Sequence, residues 1–149
     1  MDRPLRLLGL DYGSKTVGVA ATDDLGQMVH PVETIFRKRQ TKLRTTLARI
    51  DEIVLERRTE GIVVGLPLNM DGSEGDRCEK TRTFAEYVRR RTGLPLDFFD
   101  ERLTTSESDG ILKISGVPLG ERKQYIDQMA AVLILEGYIN NGKSAFHRS

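Results

Sequence analysis

RLLGLDYGSKTVGVAATD, residues 6–23, decides the architecture. Two short apolar runs rich in Leu, Val and Ala flank Ser14, Lys15 and Thr16, the pattern of two strands joined by a tight turn. An antiparallel hairpin therefore opens the fold. Strand alternation puts Leu5, Leu7, Gly9 and Asp11 on one face of the first strand. A carboxylate thus closes an otherwise apolar row at the point where the strand runs out into Tyr12 and Gly13. Taken alone, Asp11 reads equally as a turn or surface carboxylate.

Downstream, a weaker strand is expected over Met28–Thr34, where Pro31 removes a backbone donor and suits an edge or bulge. Leu43, Leu47, Ile50 and Val54 recur at helical spacing, predicting an amphipathic helix over about 41–58 with a basic polar face. Ile62–Leu66 is a continuous apolar run stopped by Pro67, as a strand covered on both faces would be. The helix between these strands makes the segment a βαβ-like crossover. Gly65, Gly72, Ser73 and Gly75 flank a polar loop, where backbone amides can meet a phosphate or where small residues simply make a turn. Cys78, Thr81, Phe84, Ala85 and Val88 then mark a second helix, and LPLDFF leads into a strand ending at Asp100 and Glu101. Thr104 and Glu107 stand at capping-box spacing for a short helix that Gly110 weakens, and SGVPLGER (115–122) reads as a loop. A last helix is expected from about Lys123 to Asn141, ended by Gly142.

The chain has 149 residues, 38% hydrophobic and 30% charged, with net charge +1. That length suits one domain around one core and is short for two lobes closing on a cleft. No apolar run approaches the roughly 20 residues of a membrane span, and the beginning of the chain has strand character rather than that of a cleavable signal, so the cytoplasm is the expected compartment. One cysteine, Cys78, and two histidines, His30 and His147, exclude an internal disulfide and a Cys/His zinc site. Any metal must be held by oxygen.

Carboxylates that leave strand ends are placed where α/β sheets bind ligands. Glu101 is one, although alternation does not settle whether it or Asp100 faces inward, and Glu101 reads also as a partner of Arg102. Asp127 is followed at i+3 and i+4 by Ala130 and Ala131, which strip the helix of bulk and let it approach the sheet. The alternative for Asp127 is a favourable charge near a helix N-terminus. Converging carboxylates without histidine or thiol partners suit Mg²⁺ or Mn²⁺, and metal-assisted phosphodiester hydrolysis is the chemistry left once phosphate loops, nucleophile elbows and triads are absent. Lys15 and Arg102 adjoin two of the acids and are phosphate-binding candidates. The stretch 37–49 carries six basic residues, Arg37, Lys38, Arg39, Lys42, Arg44 and Arg49, and no acid, and Arg89, Arg90 and Arg91 form a second cluster. These patches are expected to touch nucleic-acid phosphates or to be solvated helix faces.

GLDYGSKTVGVAATD, VVGLPLNMDGSEG, DERLTT and IDQMAAVLILEGYI, taken in order, resemble the YqgF family of RuvC-like nucleases over nearly the whole chain. SESDGILK after DERLTT departs from that pattern and puts the local helix in doubt. The resemblance implies an α/β RNase H-like fold, a mixed five-stranded sheet with flanking helices, over 1–142, with a tail at 143–149. It implies a catalytic, metal-binding set of Asp11, Glu101 and Asp127 with Mg²⁺ or Mn²⁺ as cofactor. It also implies one of two substrates: the precursor of small-subunit ribosomal RNA cut at its 5′ end, with ribosome association as the expectation, or branched DNA at a Holliday junction. Structured RNA is the favoured reading. Two rivals remain at this point, an actin-like ATPase or sugar kinase, suggested by the Asp-Tyr-Gly turn before Thr16, and a noncatalytic RNA-binding module.

Overall fold

The computed structural model of the chain describes residues 5–37, 43–103 and 119–141. Strands β1 (Leu7–Tyr12), β2 (Thr16–Thr22) and β3 (Val29–Phe36) form an antiparallel meander. Helix α1 (Arg44–Arg57) carries the chain to β4 (Gly61–Leu66), parallel to β1, and helix α2 (Asp76–Thr92) carries it to β5 (Leu96–Asp100), parallel to β4. A 3₁₀ turn follows at Glu101–Leu103, and helix α3 runs over Leu119–Asn140. The five strands lie in the order β3-β2-β1-β4-β5. This is the mixed five-stranded sheet with flanking helices that the sequence implies.

Strand parity assigns the two faces. Leu8, Leu10, Val17, Val19, Ile62 and Val64 turn to one side, where Ile50, Ile53, Phe84 and Val88 of α1 and α2 complete the main core. Phe84 is almost wholly enclosed there, and burying a side chain of this size stabilises the fold by roughly 1.5–3 kcal/mol. Leu7, Val63 and Phe99 turn the other way and pack on Ile134, Leu135 and Tyr138 of α3. β4 lies between both layers and is buried along its whole length, as its unbroken apolar sequence requires.

β3 occupies an edge, and the register of β2 against β3 shifts at Val19/Ala20, where Ala20 faces Pro31, the edge and irregular position that suits a residue without a backbone N–H. α2 ends where Gly93 takes φ +72° and its N–H reaches the Arg89 carbonyl. Gly65 lies inside β4, in the strand read over Ile62–Leu66. One expectation changes. Leu119–Arg122, read as loop, are the first turn of α3. The capping box at Thr104 and Glu107, Gly142 and the tail lie outside the described residues, as do Lys38, Arg39 and Lys42.

Candidate active site

Asp11 is the last but one residue of the central strand, and glycine stands on both sides of it. On β2 its register partner is Gly18. On β4 the last registered pair is Leu10 with Val64, so Gly65 comes next to Asp11. Both glycines leave room that another acidic residue fills. A Cβ on Gly18 would lie 1.9 Å from the Asp127 carbonyl oxygen, and one on Gly65 would lie 2.7 Å from Glu101 Cγ and 2.8 Å from its Oε1. α3 therefore rests its backbone on β2 at Asp127, while Glu101 folds back from the end of β5 across β4. Gly9 extends the same floor, with Ala131 O and Leu135 Cβ 3.0 Å from its would-be Cβ. That contact is what the small residues after Asp127 provide for.

Glu101 reaches Asp11 and hydrogen-bonds it carboxyl to carboxyl. Withdrawal from water, the shared hydrogen bond and the charge of Asp11 together push the Glu101 carboxyl far above its ordinary range, to about 9, against a smaller opposing effect of the Arg77 guanidinium. The pair thus holds a proton where two anions would repel. Asp100 is placed differently. Arg102 binds its carboxylate through Nε and Nη2 at 2.9 and 2.6 Å, and the backbone N–H of Arg102 donates to it at 2.9 Å, which holds Asp100 below the usual carboxylate range. The inward acid is Glu101, and the partner of Arg102 is Asp100.

Asp127 lies in the third turn of α3, too deep for a helix-end charge effect. Its Oδ2 accepts a hydrogen bond from Thr16 Oγ1 at 2.6 Å. Among the described residues no three acidic, histidine or cysteine side chains stand close enough together to hold one ion. Two of the three expected ligands are paired, and the third is held one strand away by Thr16. The donor set is nevertheless all oxygen, and a half-buried carboxyl pair that needs a proton to stay together is a place where a divalent cation would relieve the same repulsion. On that observation the residues fit Mg²⁺ or Mn²⁺.

The basic candidates divide sharply. Lys15 and Arg44 are exposed. Arg37 is buried: its Nη1 donates to the carbonyls of Gly13 and Ser14 at 2.8 and 3.2 Å, and its guanidinium stacks over Tyr12, which in turn stacks on Phe84. It therefore fixes the β1–β2 turn beside Asp11 instead of facing solvent. Arg49 is engaged by Glu33, Arg89 and Arg90 by Glu86, and Arg91 by Asp51, so the 89–91 cluster and the end of the 37–49 stretch are neutralised by their own fold. Sequence reasoning passed over Thr16 as a partner of Asp127 and Arg77 as a neighbour of Glu101. The position of Arg77, in the first turn of the helix after the polar loop, was the available signal.

A family model described as "RuvX: Holliday junction resolvase" matches residues 5–141. The chain belongs to the RuvX family. As a RuvX member it is a nuclease, a hydrolase acting on phosphodiester bonds, which answers the choice between nuclease, ATPase and noncatalytic module and bears out the YqgF resemblance. Curated relatives agree over nearly their full length. A protein of Lachnospira eligens is 50% identical over 137 residues, covering 92% of this chain and 98% of the relative, and one of Agathobacter rectalis is 48% identical over 136 residues, covering 91% and 95%. Each carries the name "Putative pre-16S rRNA nuclease". Among solved structures, RuvC of Thermus thermophilus superposes with a TM-score of 0.57 at 14% identity over 93% of this RuvX chain and 97% of RuvC. The fold is RNase H-like. Among the described residues no helix is long and apolar enough to cross a membrane.

Proposed function

We propose that this RuvX chain cleaves the precursor of small-subunit ribosomal RNA at its 5′ end, in the cytoplasm, with Mg²⁺ or Mn²⁺ held by Asp11 and Glu101 and completed by Asp127. The observation that carries the reading is the Asp11–Glu101 carboxyl pair at the parallel strand ends, flanked by two glycines that admit Glu101 on one side and Asp127 on the other. When bound, the cation supplies activation of the attacking water and charge stabilisation at the leaving oxygen. The chain's own residues do the rest. Gly18 and Gly65 set how closely α3 and Glu101 approach Asp11. Thr16 orients the Asp127 carboxylate, and Arg37 holds the turn that carries Lys15 and Thr16. No covalent nucleophile is needed.

The relatives of about half identity support RNA over branched DNA, whereas the family description and the likeness to RuvC favour a junction. Purified protein with Mg²⁺ or Mn²⁺ is expected to cut a 5′-extended ribosomal RNA precursor and to leave a four-way DNA junction intact. Cleavage of the junction with the precursor RNA untouched would transfer the assignment to recombination.

A further inference from the structure

Next to Glu101, the loop after β4 and the start of α2 enclose a cleft of about 310 Å³ lined by Leu68, Asn69, Met70, Arg77, Glu101 and Arg102 among others. Two guanidinium groups border it, and they are not equivalent. Arg102 is committed to structure. Beyond its grip on Asp100, its Nη1 donates to the Met70 carbonyl at 3.2 Å, so it ties the loop to the end of β5 and has given most of its donors away. Arg77 is exposed and makes no ion pair or hydrogen bond among the described residues.

Many other arginines of the described surface are taken up by neighbouring acids: Arg6 by Glu60, Arg49 by Glu33, Arg82 by Glu74, and Arg89 and Arg90 by Glu86. Glu74, three residues from Arg77, spends both carboxylate oxygens on Arg82 at 2.7 and 2.8 Å. Asp76 brings negative charge to the same cleft. A phosphate entering it therefore needs a positive partner on that side. A guanidinium with its fork of donors unspent matches two phosphate oxygens at once.

We propose that Arg77, rather than Arg102, binds the substrate phosphate beside the Asp11–Glu101 pair. The inference rests on the nuclease reading above and adds to it a residue that contacts substrate. With the precursor RNA and Mg²⁺, R77Q is expected to lower kcat/KM on the order of 100-fold, R77K to recover part of the loss, and both to keep the wild-type melting temperature. In direct binding to the same RNA, R77Q is expected to reduce the slope of log Kd against log salt by about one phosphate contact. R77Q that cuts like wild type, with an unchanged salt slope, would overturn the assignment while leaving the cleavage reading in place. If the wild-type protein cut neither RNA nor junction, the cleavage reading would fall, and the binding slope would still decide for or against Arg77.

Discussion

Alanine at position 18 is expected to abolish cleavage and to cost the folded protein about 3 kcal/mol, the upper end for overpacking a tight interior contact. The added methyl would stand 1.9 Å from the Asp127 carbonyl oxygen and 2.4 Å from its carbonyl carbon. Those are helix backbone atoms, so no rotamer change relieves the clash. α3 must lift from β2, and the Thr16–Asp127 hydrogen bond goes with it. Gly65→Ala makes an instructive contrast. Its methyl would meet Ile134 Cδ1 at 2.4 Å and the Glu101 side chain at 2.7–2.8 Å, both of which can move. It is expected to lose activity, by driving Glu101 off Asp11, at a smaller cost in stability. Urea midpoints and cleavage rates of the two variants measure this. Wild-type stability in Gly18→Ala would mean that α3 does not seat on β2 as described.

The second large effect is a pH dependence. The Glu101 carboxyl titrates near 4.5 in the unfolded chain and is raised to about 9 in the fold, first by withdrawal from water and then by Asp11. Below about pH 4.5 both states carry the proton and the group contributes no pH slope. As pH rises from there toward 9, the unfolded chain releases the proton while the folded one retains it, so folding stability falls, by up to about 1.4 kcal/mol per pH unit. Metal-free protein is therefore expected to melt progressively lower between pH 5 and 9, and Glu101→Gln to flatten that decline. Because a cation competes with the shared proton, millimolar Mg²⁺ is expected to raise the melting temperature more at pH 8.5 than at pH 5.5. Parallel melting curves for wild type and Glu101→Gln across this range would show that the pair does not hold the proton.

Much of the fold was readable because its signals are local. The hairpin of residues 6–23, the apolar run of β4 and the spaced apolar residues of α1 and α2 each announce their own geometry, and Pro31 announced an edge. The site was readable in part. Asp11 sits where strand parity puts it, but the choice between Asp100 and Glu101 depended on whether the parity of Asp97 and Phe99, which face α3, continues past the strand end. It does. The pairing of Arg102 with Asp100 then removed Arg102 from the solvent-facing cations. Arg37 was illegible for a different reason: a basic run looks the same whether an arginine is hydrated or reaches inward to two carbonyls and an aromatic ring. Arg91 is neutralised by Asp51 from a different helix, which no local pattern reveals. The meaning of Gly18 and Gly65 likewise rests on sheet register and on a helix more than 100 residues along the chain.

Asp11→Asn is the most direct test of the acid pair as a cleavage centre, since it removes a carboxylate with almost no change of volume. Cleavage of the precursor RNA in Mg²⁺ is expected to vanish in this variant while RNA binding and the folded state persist. Asp11→Asn that cuts at the wild-type rate would contradict the account, because Asp11 would then take no part in the chemistry.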